Sequence, residues 1–190
     1  MRVVIAEDEA LIRMDLKEML EEEGHEVVGE AADGASAADI VAETLPDAVF
    51  MDVKMPGVDG IEGARRICEA RLAPVVMVTA FSQASYIEKA CEAGAMAYIV
   101  KPFTRADILP ALQVAVSRFA EARALEDEIV DLKARLEARK VVERAKGVLM
   151  GRGISEPEAF RRMQKIAMDR RMTLRQVAEA VLVAEEAEAE

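Results

Sequence analysis

The first 119 residues alternate between short apolar runs and amphipathic stretches. The runs Arg2–Ala6, Glu26–Gly29, Asp47–Met51, Pro74–Val78 and Met96–Val100 predict five strands. The first, third and fourth are nearly all apolar, as parallel strands buried on both faces are. Amphipathic stretches between them predict helices at Ala10–Glu23, Ala35–Thr44, Gly60–Arg71 and Gln83–Ala93. Asp59 with Glu62, and Thr104 with Asp107, have the spacing of capping boxes. Gly24 and Gly94 stand where helices end. Five βα units of this size predict an α/β fold with a doubly wound five-stranded parallel sheet.

The pattern changes after Thr104. A helical stretch runs to Lys146 without a glycine, interrupted only by Pro110, whose ring would kink it. Ala122, Leu125, Ile129, Leu132 and Leu136 alternate three and four apart, about two heptads of an a/d seam. So short a seam suits a helix packed on its own chain as well as a homodimer paired through this linker. Arg139 and Glu143 fall on the seam and end it. Lys140–Met150 is amphipathic and stops at Gly151-Arg152-Gly153. Ser155 with Glu158 has capping-box spacing ahead of a helix over Glu156–Asp169, and Thr173 with Gln176 ahead of one over Leu174–Glu186. The chain therefore reads as an α/β domain over 1–119, a helical linker over 120–138, and a small three-helix all-α domain over 139–190.

Charge sharpens that division. The chain carries a formal net charge of −11. Residues 1–119 hold 11 basic and 21 acidic side chains, whereas 139–175 hold 11 and 4. A basic island inside an acidic protein suggests a second job, with a polyanion as partner. Phe160 is the only aromatic residue beyond Phe119, which disfavours base stacking on an aromatic platform. Charge and periodicity alone leave DNA and RNA open. Cys68 and Cys91 lack metal-ligand spacing, and no signal peptide or membrane span is visible, so a cytoplasmic protein is expected. The lone His25 reads as a solvated loop residue.

Chemistry collects at the strand ends. Asp52 closes the third apolar run, ahead of Pro56-Gly57. Alone it could equally be a turn cap or a rigidly held reactive carboxylate. The other ends decide between these: Glu7-Asp8 after strand one, Thr79 after strand four, Lys101-Pro102 after strand five. In doubly wound sheets this edge is where ligands bind. Converging carboxylates repel unless a hard dication such as Mg²⁺ neutralises them. With the Lys101 ammonium and the Thr79 hydroxyl beside it, Asp52 reads as the acceptor of a phosphoryl group.

Glu7-Asp8, Asp52, Thr79, Tyr98 and Lys101-Pro102, in this order and spacing, resemble the pattern of response-regulator receiver domains. The resemblance implies a flavodoxin-like fold and phosphorylation of Asp52 by a sensor histidine kinase. It implies Mg²⁺ held by Glu7, Asp8, Asp52 and the backbone carbonyl of Lys54, a cis Lys101-Pro102 bond, and Thr79 with Tyr98 as a switch pair. Tyr98 could instead be an ordinary, partly buried strand tyrosine. Glu7 stands where many members have Asp, a departure that touches the metal geometry.

Val142 to Met150 (Val-Glu-Arg-Ala-Lys-Gly-Val-Leu-Met), Ser155-x-x-Glu158-Ala159-Phe160 and Leu174-x-x-Val177-Ala178 resemble the ANTAR RNA-binding domain of transcription antiterminators. That family binds stem-loops in nascent RNA. By position, Arg144, Ala145, Lys146, Gly147, Arg152, Arg170 and Arg171 are the candidate RNA contacts. The expectation is a two-component regulator in which phosphorylation of Asp52 controls RNA binding and antitermination, with no turnover chemistry beyond its own phosphoryl group. The rivals are a phosphorylation-gated protein-docking adaptor and a Mg²⁺-dependent phosphohydrolase, for which no substrate pocket or general acid is apparent.

Overall fold

A computed structural model of the chain describes residues 1–80 and 84–189. Strands β1 (Arg2–Ala6), β2 (Glu26–Ala31), β3 (Ala48–Asp52), β4 (Val75–Thr79) and β5 (Ala97–Val100) alternate with helices α1 (Ala10–Glu22), α2 (Gly34–Thr44), α3 (Gly60–Glu69) and α4 (Ala84–Glu92). A 47-residue helix α5 (Arg105–Gly151) follows, then α6 (Glu156–Arg170) and α7 (Leu174–Ala189). Every strand pair is parallel, in the order β2-β1-β3-β4-β5. This is the doubly wound α/β sheet that the apolar runs predict. Two compact units divide the chain, Met1–Arg123 and Ala124–Glu190, and α5 contributes residues to both.

The near-continuous apolar strands follow from two-sided burial. Val4, Ala6, Val49, Met51, Val75 and Met77 face one way and pack with Val41, Ala64 and Ile67 of α2 and α3. Their alternate neighbours Val3, Ile5, Phe50, Val76 and Val78 face the other way, onto Leu16, Leu20, Ile108 and Leu112 of α1 and α5. Successive side chains of a strand point to opposite faces, so neither parity can be polar here.

Boundaries move by a residue or two. β3 and β4 start one residue later than their apolar runs and so take in Asp52 and Thr79. Asp47 stays outside β3, and its carboxylate accepts the Arg2 N–H at 2.7 Å. β2 continues to Ala31, which pairs with Ala6. The expected start of α4, Gln83, lies outside the described residues.

The caps form in three of the four expected places. The Asp59 carboxylate accepts the Glu62 N–H at 2.9 Å. Thr104 donates its N–H and hydroxyl to Asp107 at 2.9 and 2.7 Å. Thr173 and Gln176 complete a reciprocal box, at 2.8 Å from the Thr173 N–H and 3.2 Å from the Gln176 N–H. The box at Ser155 does not form. Ser155 is the N-cap of α6, but its hydroxyl makes no capping bond. Glu158 is drawn away to Arg162 at 3.2 Å, and Pro157 in the first turn needs no partner for a missing N–H.

The second unit has a small core. Val142, Ala145, Met163, Val177 and Ala178 are buried, with Phe160 and Leu174 packed against them. Upstream, Leu125, Ile129, Leu132 and Leu136 are each about half exposed or more. Among the described residues, no helix is long and apolar enough to cross a membrane.

Cys68 tests the packing of α3. Its thiol donates to the Gly94 carbonyl at 3.3 Å, and burial pushes its pKa up to about 11. Cys91 is exposed. Because the thiolate is the reactive form, iodoacetamide at pH 8 should modify Cys91 at least ~100-fold faster than Cys68. Comparable labelling of both, read by mass spectrometry, would contradict the packing around Gly94.

Candidate functional site

The carboxyl ends of β1, β3, β4 and β5 bring the predicted acids and cation together. The ligand atoms of Glu7, Asp8 and Asp52 all lie within 4.8 Å of one another. Glu7 and Asp52 are buried, and Asp8 is exposed. Lys101 places its ammonium 2.7 Å from Glu7 Oε2 and 3.1 Å from Asp52 Oδ2. Thr79, the last residue of β4, is 2% exposed, and its carbonyl accepts the Lys101 N–H at 2.8 Å. The Lys101–Pro102 peptide is cis. Tyr98, on β5, is 49% exposed, so about half of it is open to solvent.

Backbone contacts hold the acids in place. The Glu7 N–H bonds the Ala31 carbonyl at 3.0 Å, and Arg13 donates to the Glu7 carbonyl at 2.6 Å. Asp52 pairs with Val78 inside the sheet. Lys54 lies two residues on, in the loop between β3 and α3. The Val53 carbonyl in that loop accepts the Gly60 N–H at 3.1 Å.

The electrostatics show what the cluster lacks. Burial raises the Glu7 pKa above its ordinary value and the Asp52 charge raises it further, while Lys101 pulls it back. Burial works to lower the Lys101 pKa, but its bonds to Glu7 and Asp52 outweigh that and raise it. Glu7 Oε2 meets the ammonium at 2.7 Å, and Asp52 Oδ2 meets the same ammonium at 3.1 Å. One cation thus faces three hard oxygen donors, a set that fits an added divalent ion.

The basic candidates separate into two groups. Ala145 is fully buried in the core of its unit, so its side chain cannot meet a ligand. Lys146 is also turned inward. Its ammonium lies 2.8 Å from both Glu143 and Glu156, with the Phe160 ring centroid 6.0 Å away. Those bonds raise its pKa. Arg152 is engaged with Glu185. Arg144, Gly147, Arg170 and Arg171 are exposed. Among the described residues, Arg144, Arg170 and Arg171 form no ion pair, and neither does Lys165, which motif position alone does not single out. The placement of Lys146 was hidden because Glu156 comes from the next helix, ten residues on.

The strained member of the acidic cluster gives a pH test. A carboxyl whose pKa is raised on folding is better tolerated protonated. Stability therefore falls as pH rises from about 4.5 through the folded value. In a chelator at pH 7.5, Glu7→Gln should be no less stable to urea than the native protein. The difference should vanish as pH falls below 4.5. A lower urea midpoint at pH 7.5 would contradict the assigned strain.

Comparison with known proteins extends both halves. The family model described as the response regulator receiver domain matches residues 3–113, and the ANTAR domain model matches residues 130–182. The transcriptional regulatory protein PdtaR of Mycobacterium tuberculosis is 58% identical over 182 residues, 95% of this chain and 89% of that protein. The chemotaxis protein CheY of Bacillus subtilis is 40% identical over 112 residues, 58% of this chain and 93% of its own. Among solved structures, the receiver domain of the sensor histidine kinase PA1611 of Pseudomonas aeruginosa PAO1 superposes with a TM-score of 0.56 at 28% identity, covering 61% of this chain and 97% of that one. The chain is a homologue of PdtaR and belongs to the two-component response regulators that join a receiver domain to an ANTAR domain.

Proposed function

We propose that a sensor histidine kinase phosphorylates Asp52, and that this controls binding of the ANTAR domain to stem-loops in nascent RNA, giving transcription antitermination in the cytoplasm. The observation that carries the reading is the convergence of Glu7, Asp8 and Asp52 around the Lys101 ammonium at the strand ends. An Asp52 oxygen attacks the phosphorus of a phosphohistidine. The P–N bond breaks, the imidazole leaves with the electron pair, and an acyl phosphate remains. Lys101 and the Thr79 hydroxyl take phosphoryl oxygens that carry negative charge in the transition state.

Mg²⁺ would be held by Glu7, Asp8, Asp52 and the Lys54 carbonyl, and would neutralise charge shared by the acids and the phosphoryl group. The PA1611 receiver has a magnesium ion coordinated in its active-site cleft. Tyr98, half exposed on β5, pairs with Met77 on β4, two residues before buried Thr79 on the same strand, an arrangement suited to a pair that moves inward together.

On this reading residues 1–119 are the receiver, 120–138 the linker and 139–190 the RNA-binding domain. The exposed side chains of Leu125, Ile129, Leu132 and Leu136 suit a homodimer seam. Two chains so joined would present two RNA-binding units at high effective concentration. Arg144, Arg170 and Arg171 are the phosphate contacts, and Gly147 leaves room for close backbone approach. Lys146 acts indirectly, by pinning α6 onto the end of α5, and Arg152 keeps Glu185 close.

Two experiments test these assignments. Asp52→Asn should take up no phosphoryl group from a small phosphodonor with Mg²⁺, a loss of at least ~100-fold; undiminished labelling would remove Asp52 from its role. In RNA-binding titrations across salt concentrations, Arg170→Ala should lower the log–log salt slope by roughly one, as loss of a phosphate contact does. Lys146→Met should leave the slope unchanged. A slope lowered as much by Lys146→Met would return Lys146 to the RNA interface.

A further inference from the structure

Three glycines line the back of the loop that runs from Asp52 to α3. They come from two helices, and ordinary right-handed or extended torsions serve at all of them; what they share is lack of room. A Cβ at Gly60 would lie 1.7 Å from the Asp52 carbonyl oxygen. A Cβ at Gly34, the first residue of α2, would lie 2.4 Å from the Asp59 carbonyl oxygen and 2.9 Å from that of Val58. A Cβ at Gly63 would lie 2.8 Å from Gly34 itself. All of these obstacles are backbone, which cannot swing aside as a side-chain tip can.

Hydrogen bonds tie the same surfaces together. The Gly60 N–H bonds the Val53 carbonyl at 3.1 Å, closing one foot of the loop. The Gly34 N–H bonds the Val58 carbonyl at 2.8 Å, closing the other. Asp33, just before it, accepts from the Ala35 and Ser36 N–H groups at 2.9 Å and fixes the start of α2. The segment 53–59 is thus an arch with both feet clamped, and Lys54 lies near its start.

We propose that the start of α2 is a buttress for this arch, and that Gly34 is a positioning residue for Mg²⁺ binding, acting through Val58 and Asp59 on the loop that carries Lys54. The inference rests on the reading of the acidic cluster as a Mg²⁺ site. Gly34 touches neither the ion nor the phosphoryl group. It lets α2 and α3 approach closely enough to hold the arch at one height, so that the Lys54 carbonyl and the Asp52 carboxylate keep a fixed separation. Preorganised oxygens of this kind matter for Mg²⁺, which tolerates little departure from octahedral geometry.

The test is a Mg²⁺ titration of the full chain followed by amide NMR resonances. Gly34→Ala should weaken Mg²⁺ binding by about 10-fold or more, the size seen when outer support of a metal site is removed. Phosphorylation of Asp52 by a small donor should recover to within about threefold of native at saturating Mg²⁺, because the reacting groups are intact. Gly63→Ala, which presses on Gly34 from the far side, should shift affinity in the same direction. Gly151→Ala, whose Cβ meets nothing within 4 Å, should not. If Gly34→Ala does not fold, the native protein supplies the readout: by linkage, Mg²⁺ should slow hydrogen exchange at the Gly34 and Gly60 amides. An affinity within twofold of native in Gly34→Ala, or unchanged exchange at Gly34, overturns the buttress. Absence of Mg²⁺ binding by the native chain overturns the underlying reading of the acidic cluster, and the buttress with it.

Discussion

Lys101 places one ammonium 2.7 Å from Glu7 and 3.1 Å from Asp52, and the carboxyl end of the sheet depends on that placement. Three carboxylates whose ligand atoms lie within 4.8 Å of one another repel strongly in a partly dry cleft. A single lysine meets part of the need and leaves Glu7 strained. The strain has a use, since the fold is incomplete in charge where a dication and a phosphoryl group would enter. Sheet geometry makes the arrangement rigid. Each acid or its neighbour is anchored by backbone bonds to an adjacent strand, so the charges cannot relieve their repulsion by moving apart.

The receiver half was largely legible because the separate parts of its pattern point to one arrangement. Apolar runs of about five residues that alternate with amphipathic helices suit parallel strands buried on both faces, and polar residues at their ends then gather at one edge. Ser155 shows where such reasoning stops. Its spacing to Glu158 suits a box, but Arg162 competes for the carboxylate at 3.2 Å, and spacing does not rank competitors. Ala145 and Lys146 show a second limit. Motif position places them at an interface, whereas burial depends on how α6 and α7 close over the end of α5. The Gly34–Gly63 approach is a third, because two backbones meeting across helices leave no mark on periodicity.

The basic unit looks different once its ion pairs are known. Lys140, Lys146, Arg152, Arg162 and Arg175 each sit within 3.5 Å of a carboxylate. Apart from the inward-turned Lys146, these are exposed pairs, which contribute little to stability. They do tie side chains to their own helix or to a neighbouring one. What remains for a polyanion is a smaller set centred on Arg144, Lys165, Arg170 and Arg171. A cluster that seems diffuse along the chain is thereby narrowed to a few cations on exposed positions.

The parity of β3 carries a consequence of its own. Phe50 and Asp52 share one face of the strand, and Val49 and Met51 the other, with β1 and β4 paired on either side. One residue added inside β3 would exchange these sets, seating a methionine where the carboxylate belongs and driving a charge toward α3. Chain length is therefore far less negotiable inside this strand than in the turn at Leu45–Asp47 on the opposite edge of the sheet. Related chains of different length should keep the count of residues from Ala48 to Asp52 and spend their insertions at that far edge.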